Sequence, residues 1–431
     1  MRSMIWSLIF GIASAEFPSQ IFSSYGDDPS TTLTLSFASA TECVIPRASV
    51  GLSASSLTPV PSGVITSNVP FYFDNSGGVA FYYRVRLVGL LPGKKYFYAV
   101  ACDSSWSEVY SADTVPLDSN FSVLLWGDMG RDGGEQILPA LMDEAKKAST
   151  GSGATFAIIA GDFAYDMHDL SGKRGATFMN RLQNISAFLP TLGVCGNHEQ
   201  ATGNTTHFTN ILGKAFPGTA LGHWYSVNTG LIHWVFLNSE VYHMPPFTLH
   251  DDSGQPFVVS APTQLEWLEK DLAGVDRVAT PWVVAVYHRP MYCSNSDNDE
   301  CSNSPLNWPS NPLRVDLEPL FVKAGVDLCV EAHEHSVEYV WPIVNGTVQA
   351  RDYINPKAPV HYITGAAGCN EDLGICFNPI LQPSFFTDKY LWGPKQYSYT
   401  RLHHNATVLR LEQVTVFPSP SIWATMEIVK N

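Results

Sequence analysis

The chain has 431 residues, of which 45% are hydrophobic and 12% aromatic, a globular composition long enough for two or three full-sized cores. Its 25 Lys and Arg against 40 Asp and Glu give a formal net charge of −15, so there is no basic surface to neutralise a nucleic-acid backbone. Nucleic acid is therefore excluded as a binding partner.

Residues 1–15, MRSMIWSLIFGIASA, combine Arg2, a short apolar run from Met4 to Ile12 and an Ala-Ser-Ala ending, the pattern of a cleaved secretory signal. The run is too short to span a bilayer, no later segment approaches a membrane span, and the C-terminal WATMEIVKN lacks a lipid-anchor tail. Five Asn-x-Ser/Thr sequons, at Asn120, Asn184, Asn204, Asn345 and Asn405, fit passage through the secretory pathway. The eight cysteines fit an oxidising compartment. Proximity pairs Cys293 with Cys301 and Cys369 with Cys376, and Cys43 can pair with Cys102, while Cys195 and Cys329 sit in apolar runs as buried free thiols.

Residues 16–117 contain TTLTLSFA, VAFYYRVRLVGLLPG and KKYFYAVAC, alternating or aromatic-rich runs separated by Gly, Pro and Ser turns, which predict a β-sandwich. After SADTVPLDSN the texture changes. From 118 to 431, apolar runs alternate with amphipathic stretches such as GGEQILPALMDEAKKA, TFMNRLQNISAFL and PTQLEWLEKDLAGV, an α/β pattern. In the second stretch Phe178, Leu182, Ile185 and Leu189 share a face, with Asn184 pointing away. WYSVNTGLIHWVFLN and YTRLHHNATVLRLEQV read as hairpins.

The chemistry sits at the ends of the apolar runs. FSVLLW leads into Gly127-Asp128, TFAIIA into Gly161-Asp162 with Tyr165, and LPTLGVC into Gly196-Asn197-His198-Glu199; WVVAVY ends at His288 and VDLCVE at His333-Glu334-His335. Ligands of open α/β sheets bind beyond the carboxyl ends of the strands, so these tips converge. Oxygen and imidazole donors without a thiolate suit hard to borderline ions. The candidates are Asp128, Asp162, Tyr165, Asn197, His288, His333 and His335, more than one ion ordinarily takes, whereas two ions can share Asp162 as a bridge. Two ions about 3.5–4 Å apart form the clamp used for displacement at phosphorus. Tyr165 points to iron, because a phenol with a free pKa of about 10 needs a strong Lewis acid such as Fe(III) to ionise near neutral pH. A ferric ion also acidifies water, which suits hydrolysis at acidic pH.

On these motifs the chain resembles the purple acid phosphatases in their long animal form. The blocks GDxG, GDxxY, GNHE, a strand-terminal His and a GHxH-like block occur in order over residues 127–335, and the likeness continues in HRPMYCSN (288–295) and PVHYITGAAGC (359–369). The resemblance implies a fibronectin type III-like β-sandwich without catalytic function, followed by an α/β metallophosphoesterase domain of two mixed sheets flanked by helices. It further implies that Asp128, Tyr165 and His335 bind Fe(III), that Asn197, His288 and His333 bind a divalent metal (Fe, Zn or Mn), and that Asp162 bridges. His198 is the implied catalytic group, stabilising the transition state or protonating the leaving oxygen. Three departures stand out: Ala332 where the family usually has Gly, which touches backbone freedom; Val337 and Tyr339 where relatives often carry Tyr and Arg; and the acidic loop Ser296 to Glu300 where plant members place a His pair. The remaining His168, His243, His250, His403 and His404 read as ordinary surface or core residues, and Trp126 and Trp234 as core packing.

The expected function is that of a secreted or lysosomal acid phosphatase acting on small-molecule or protein phosphomonoesters. The alternatives are a nucleotide pyrophosphatase or phosphodiesterase on the same site, and a secreted binding glycoprotein with a vestigial metal site. Oligomeric state is not encoded in these features.

Overall fold

The computed structural model describes residues 18–60, 65–72, 79–117, 121–200, 205–251, 253–294, 311–369, 386–391 and 396–431. The expected leader, the sequons at Asn120 and Asn204, the acidic loop 296–300 and the cysteines at 301 and 376 lie outside these residues.

The N-terminal texture folds as two antiparallel sheets. One pairs Ser19–Ser24, Leu33–Ser39, Val79–Leu87 and Ile65–Tyr72 in that order; the other is built around Pro46–Gly51 and Lys95–Cys102. Leu33, Leu35 and Phe37 alternate along one strand and are all buried, and Phe37 stacks on Tyr83 across the sheet at 5.2 Å. Cys43 and Cys102 form the expected disulfide, with Cα atoms 5.0 Å apart. Cys293 and Cys369 each take part in a disulfide of their own, and Cys195 and Cys329 are buried free thiols as expected.

The sandwich does not hang from a linker. Its first strand lies along the Lys173–Ser186 helix, where Ile21 N–H donates to Gln183 at 2.9 Å and the Ser23 hydroxyl donates to the Ser186 carbonyl at 2.5 Å. Tyr98 donates to the Ala187 carbonyl at 2.7 Å, and the Tyr25 ring meets Phe156 at 5.7 Å. The apolar core runs without interruption from the sandwich into the following domain.

That domain contains two mixed sheets. The six-stranded sheet orders Thr191–Gly193, Phe156–Ile159, Ser122–Trp126, Ser398–His404, Val408–Thr415 and Ser421–Val429, the first three parallel. The seven-stranded sheet orders Tyr225–Thr229, Ile232–Phe236, Trp282–Val286, Leu328–Glu331, Val360–Thr364, Val337–Val340 and Thr387–Leu391, with its second to fifth strands parallel. Both expected hairpins form.

Strand alternation explains the layering. Trp234, Phe236, Val284, Val286, Leu328 and Val330 join the inner core shared with the six-stranded sheet. Their neighbours Val235, Val283, Ala285 and Cys329 pack instead with Leu268, Leu272, Leu317 and Phe321 of the helices Ala261–Ala273 and Pro312–Ala324. The helices Leu138–Ser149 and Lys173–Ser186 belong to the six-stranded side; Phe178, Leu182 and Ile185 are buried and Asn184 is exposed, as the periodicity predicts. The first helix opens with a short 3₁₀ turn, Gly133–Gln136, because Pro139 fits only in the first turn of an α-helix. Trp126 and Trp234 are fully buried. Among the described residues no helix is long and apolar enough to cross a membrane.

Candidate metal centre

The parallel strands of both sheets end on the same side, and their first loop residues meet there. Beyond Ser122–Trp126, Gly127 is required because a Cβ on it would lie 2.4 Å from that of Ala332. Asp128 then takes φ +57, a conformation a non-glycine residue rarely keeps without compensation, and is fully buried. The His333 N–H donates to its Oδ2 at 2.9 Å and the Tyr165 hydroxyl to its Oδ1 at 3.3 Å.

Beyond Phe156–Ile159, Gly161 has φ +89, and a Cβ there would meet the His288 ring at 2.5 Å. That close approach sets the state of His288, whose Nδ1–H donates to the Ala160 carbonyl at 2.8 Å. In the neutral ring this bond turns the Nε2 lone pair inward. Nε2 lies 3.2 Å from Asp162 Oδ2 and 3.0 Å from Asn197 Oδ1. Three acceptors this close, two of them fully buried, repel one another unless positive charge lies between them. The same demand appears as a pKa: burial pushes the His288 imidazolium down, yet Asp162 and Asp128 outweigh it and hold it up at about 10. Burial would raise Asp162, but His288, His198 and His333 keep its carboxyl far below the usual range.

Asp162 has φ +51 and is held from two sides. The His198 N–H donates to Oδ1 at 3.0 Å, and Gly196 leaves room for that oxygen, which a Cβ would approach to 2.2 Å. Beneath it, buried Glu199 accepts from the N–H groups of Asp162 (2.9 Å), Phe163 (3.0 Å) and Gly196 (3.0 Å), tying one motif loop to the other. Burial and the neighbouring Asp162 push the Glu199 carboxyl up.

Tyr165, φ +54 and 2% exposed, brings its hydroxyl against His335 Nε2, itself 3.6 Å from Asp128 Oδ1. Its ring lies 4.2 Å from that of His198. The His198 Nδ1 reaches Asp166 at 3.2 Å, and its Nε2 lies 4.0 Å from Asp162 Oδ2. Burial lowers the pKa of His198, but Asp162 and Asp166 more than offset it, and the net direction is up. His333, φ +67, completes a group with Asp162 and His288 whose donor atoms all lie within 4.8 Å of one another.

All seven expected donors thus come together, with His198 at the rim. The donor set fits two ions of hard to borderline character: carboxylates, a phenol and an amide oxygen with three imidazoles, and no thiolate. Beside His333, Arg289 brings Nη1 to 3.2 Å from its Nε2 and pairs through Nε with buried Glu240 at 2.7 Å; these two, with Asp166 and Glu199, were not singled out from sequence. Glu199 and Arg289 stood inside recognised blocks, but nothing in the sequence tells a buried tie from a solvated charge. Ala332 is buried without positive φ, so alanine carries no backbone cost there. Val337 and Tyr339 are buried within a strand, where Tyr339 packs on Tyr362 at 5.1 Å. Among the other histidines, His404 packs edge-on against Phe121 and His403 lies near Glu412.

Two sheets with a polar cluster at their shared strand ends define the class: residues 121–337 match the family described as calcineurin-like phosphoesterase. Residues 18–114 match the purple acid phosphatase N-terminal domain, and 358–417 the iron/zinc purple acid phosphatase-like C-terminal family. The chain belongs to the purple acid phosphatases. It is 34% identical to acid phosphatase type 7 of Homo sapiens over 94% of this chain and 89% of that one, and 33% identical to acid phosphatase type 7 of Danio rerio over 96% and 91%. A purple acid phosphatase from yellow lupin (Lupinus luteus) seeds shares the fold at TM-score 0.74 and 19% identity, over 97% of this chain and 75% of that one. The family makes the chain a metal-dependent phosphoester hydrolase with a dinuclear centre.

Proposed function

We propose that this chain is a secreted or lysosomal acid phosphatase that hydrolyses phosphomonoesters at an Fe(III)–M(II) centre, M being Fe, Zn or Mn. The convergence of seven oxygen and nitrogen donors, with a buried tyrosine among them, carries the proposal. Asp128, Tyr165 and His335 would hold the ferric ion, Asn197, His288 and His333 the divalent ion, and Asp162 both. When bound, the two ions supply Lewis-acid activation of water and neutralise charge on the phosphoryl group.

The chain's own residues do the rest. The Ala160 carbonyl fixes the His288 ring through Nδ1, and Glu199 holds the Asp162 and Asn197 loops at one spacing. His198, oriented by Asp166 and backed by the Tyr165 ring, holds a proton at Nε2 for the leaving oxygen. The upward direction of its pKa keeps that proton in place at acidic pH. The same reading assigns residues 16–117 as a non-catalytic module and 118–431 as the catalytic domain. Passage through the secretory pathway is supported by the Cys43–Cys102 disulfide and by the exposure of Asn184, Asn345 and Asn405.

The test is a visible absorption spectrum with metal analysis on the secreted protein, beside Tyr165→Phe. A broad charge-transfer band lost in the variant, with two metals per chain, is expected. A colourless protein with two divalent metals removes iron, and a folded metal-free protein favours the binding glycoprotein with a vestigial site.

A further inference from the structure

A sixth strand also ends at the centre. Beyond Ile232–Phe236, a strand parallel to Trp282–Val286, the chain turns through Asn238 into the 3₁₀ segment Ser239–Tyr242 and delivers Glu240, which is 1% exposed. Asn238 fixes this turn: its side chain accepts from the Glu240 N–H at 2.9 Å and from Gln200 at 2.9 Å. Glu240 in turn takes the Nε–H of Arg289 at 2.7 and 2.9 Å, while the Arg289 N–H donates to the Ser239 hydroxyl at 3.0 Å. Arg289 follows His288 directly, and its Nη1 lies 3.2 Å from His333 Nε2.

A guanidinium does not lose its proton, so this arrangement keeps a fixed positive charge beside a centre that itself collects cations. Asp128 and Asp162 already face His288, and buried Glu240 faces the Arg289 guanidinium. What Glu240 achieves is orientation. With Nε engaged, Nη1 is directed at His333 on the edge of the centre, and the side chain keeps 14% of its surface exposed. A planar donor edge at the mouth of a two-ion site matches the oxygens of a phosphoryl group.

We propose that Arg289, oriented by Glu240, binds the phosphoryl oxygens of substrate and product and thereby favours a dianionic monoester over a singly charged diester. This rests on the phosphoesterase reading above and deepens it. Arg289 is then a substrate-binding residue and Glu240 a positioning residue.

The experiment uses the metal-loaded full chain and compares Arg289→Ala, Arg289→Lys and Glu240→Gln with wild type. It measures metal content, KM and kcat on a phosphomonoester and a phosphodiester, and inhibition by inorganic phosphate. Loss of a charged hydrogen-bonding pair predicts that Arg289→Ala weakens phosphate inhibition and raises monoester KM by about 10- to 100-fold, with two metals retained. Its monoester preference over diester should shrink, and methylguanidine in the buffer should restore part of it. Arg289→Lys, which keeps charge but not the fork, should fall between, and Glu240→Gln should raise KM more than it lowers kcat. Unchanged phosphate inhibition with metals intact overturns the assignment. So does metal loss in both Arg289 variants, which would make the residue a support for His333. If wild type itself neither turns over nor binds phosphate, the phosphoesterase reading fails, independently of Arg289.

Discussion

The two sheets of the catalytic domain contribute to the centre unequally. The six-stranded sheet sends Asp128, Asp162, Tyr165 and Asn197, all oxygen donors; the seven-stranded sheet sends His288, His333 and His335, all imidazoles. Three donors from the first sheet have positive φ, against His333 alone from the second. Buried carboxylates on one sheet would repel each other, and the compensating rings arrive only when the second sheet packs over them. The cluster is therefore a property of the interface between sheets, and under the proposed assignment neither half would hold a complete ligand set for either ion.

The sharpest way to break this division is to remove the group that touches both sides. Asp162 faces His288 at 3.2 Å and also receives the His198 N–H. Asp162→Asn keeps the shape and removes the charge. Turnover should fall by about 10³-fold or more, and metal analysis should find both ions depleted, because the bridge serves each. Retention of two metals with near-normal turnover would falsify the bridging role.

A step down in size, Glu199→Ala tests the cohesion of the oxygen-donor side. The substitution strands the N–H groups of Asp162, Phe163 and Gly196 in a buried space. Denaturant unfolding should register a loss of about 4 kcal/mol. If stability were unchanged, the Asp162 and Asn197 loops would have to be held by something other than this carboxylate.

The same asymmetry governs how much was legible in the sequence. The oxygen-donor side was easy to read: short apolar runs stop at Gly-Asp or Gly-Asn, and the glycines mark close approaches that sequence encodes directly. The imidazole side was also legible, since His288, His333 and His335 end their runs. The third contribution from that sheet was not. Ile232–Phe236 runs into Leu237 and Asn238 before reaching Glu240, so the chemistry is displaced from the strand end, and only the register with Trp282–Val286 reveals it. Pro312–Ala324 was not read as a helix either, because Pro319 interrupts its apolar pattern. Its ends carried the signal, with Asn311 accepting from the Arg314 N–H and Gly325 at φ +66 beyond the last turn. Whether Val337 and Tyr339 faced substrate or core depended on strand register, which a linear motif does not contain.

The smallest of these effects separates the sheets by their response to pH. On the imidazole-donor sheet, Glu338 is fully buried and accepts from the Ser294 N–H at 2.9 Å and from the Ser294 hydroxyl at 2.5 Å. Burial outweighs these bonds and pushes its carboxyl from 4.5 up to about 7. Between those values the folded chain holds a proton that the unfolded chain releases. Stability from this group is therefore complete below the unfolded value and declines as pH rises through about 7, by about 3 kcal/mol in all. Glu338→Gln mimics the protonated form, so its stability should match wild type in acid, gain on it as pH rises from 4.5 to about 7, and keep that lead above neutrality. If the variant and wild type instead diverge most at acidic pH, the carboxylate is ionised in the fold, and Ser294 and Thr387 stabilise it more than burial opposes it.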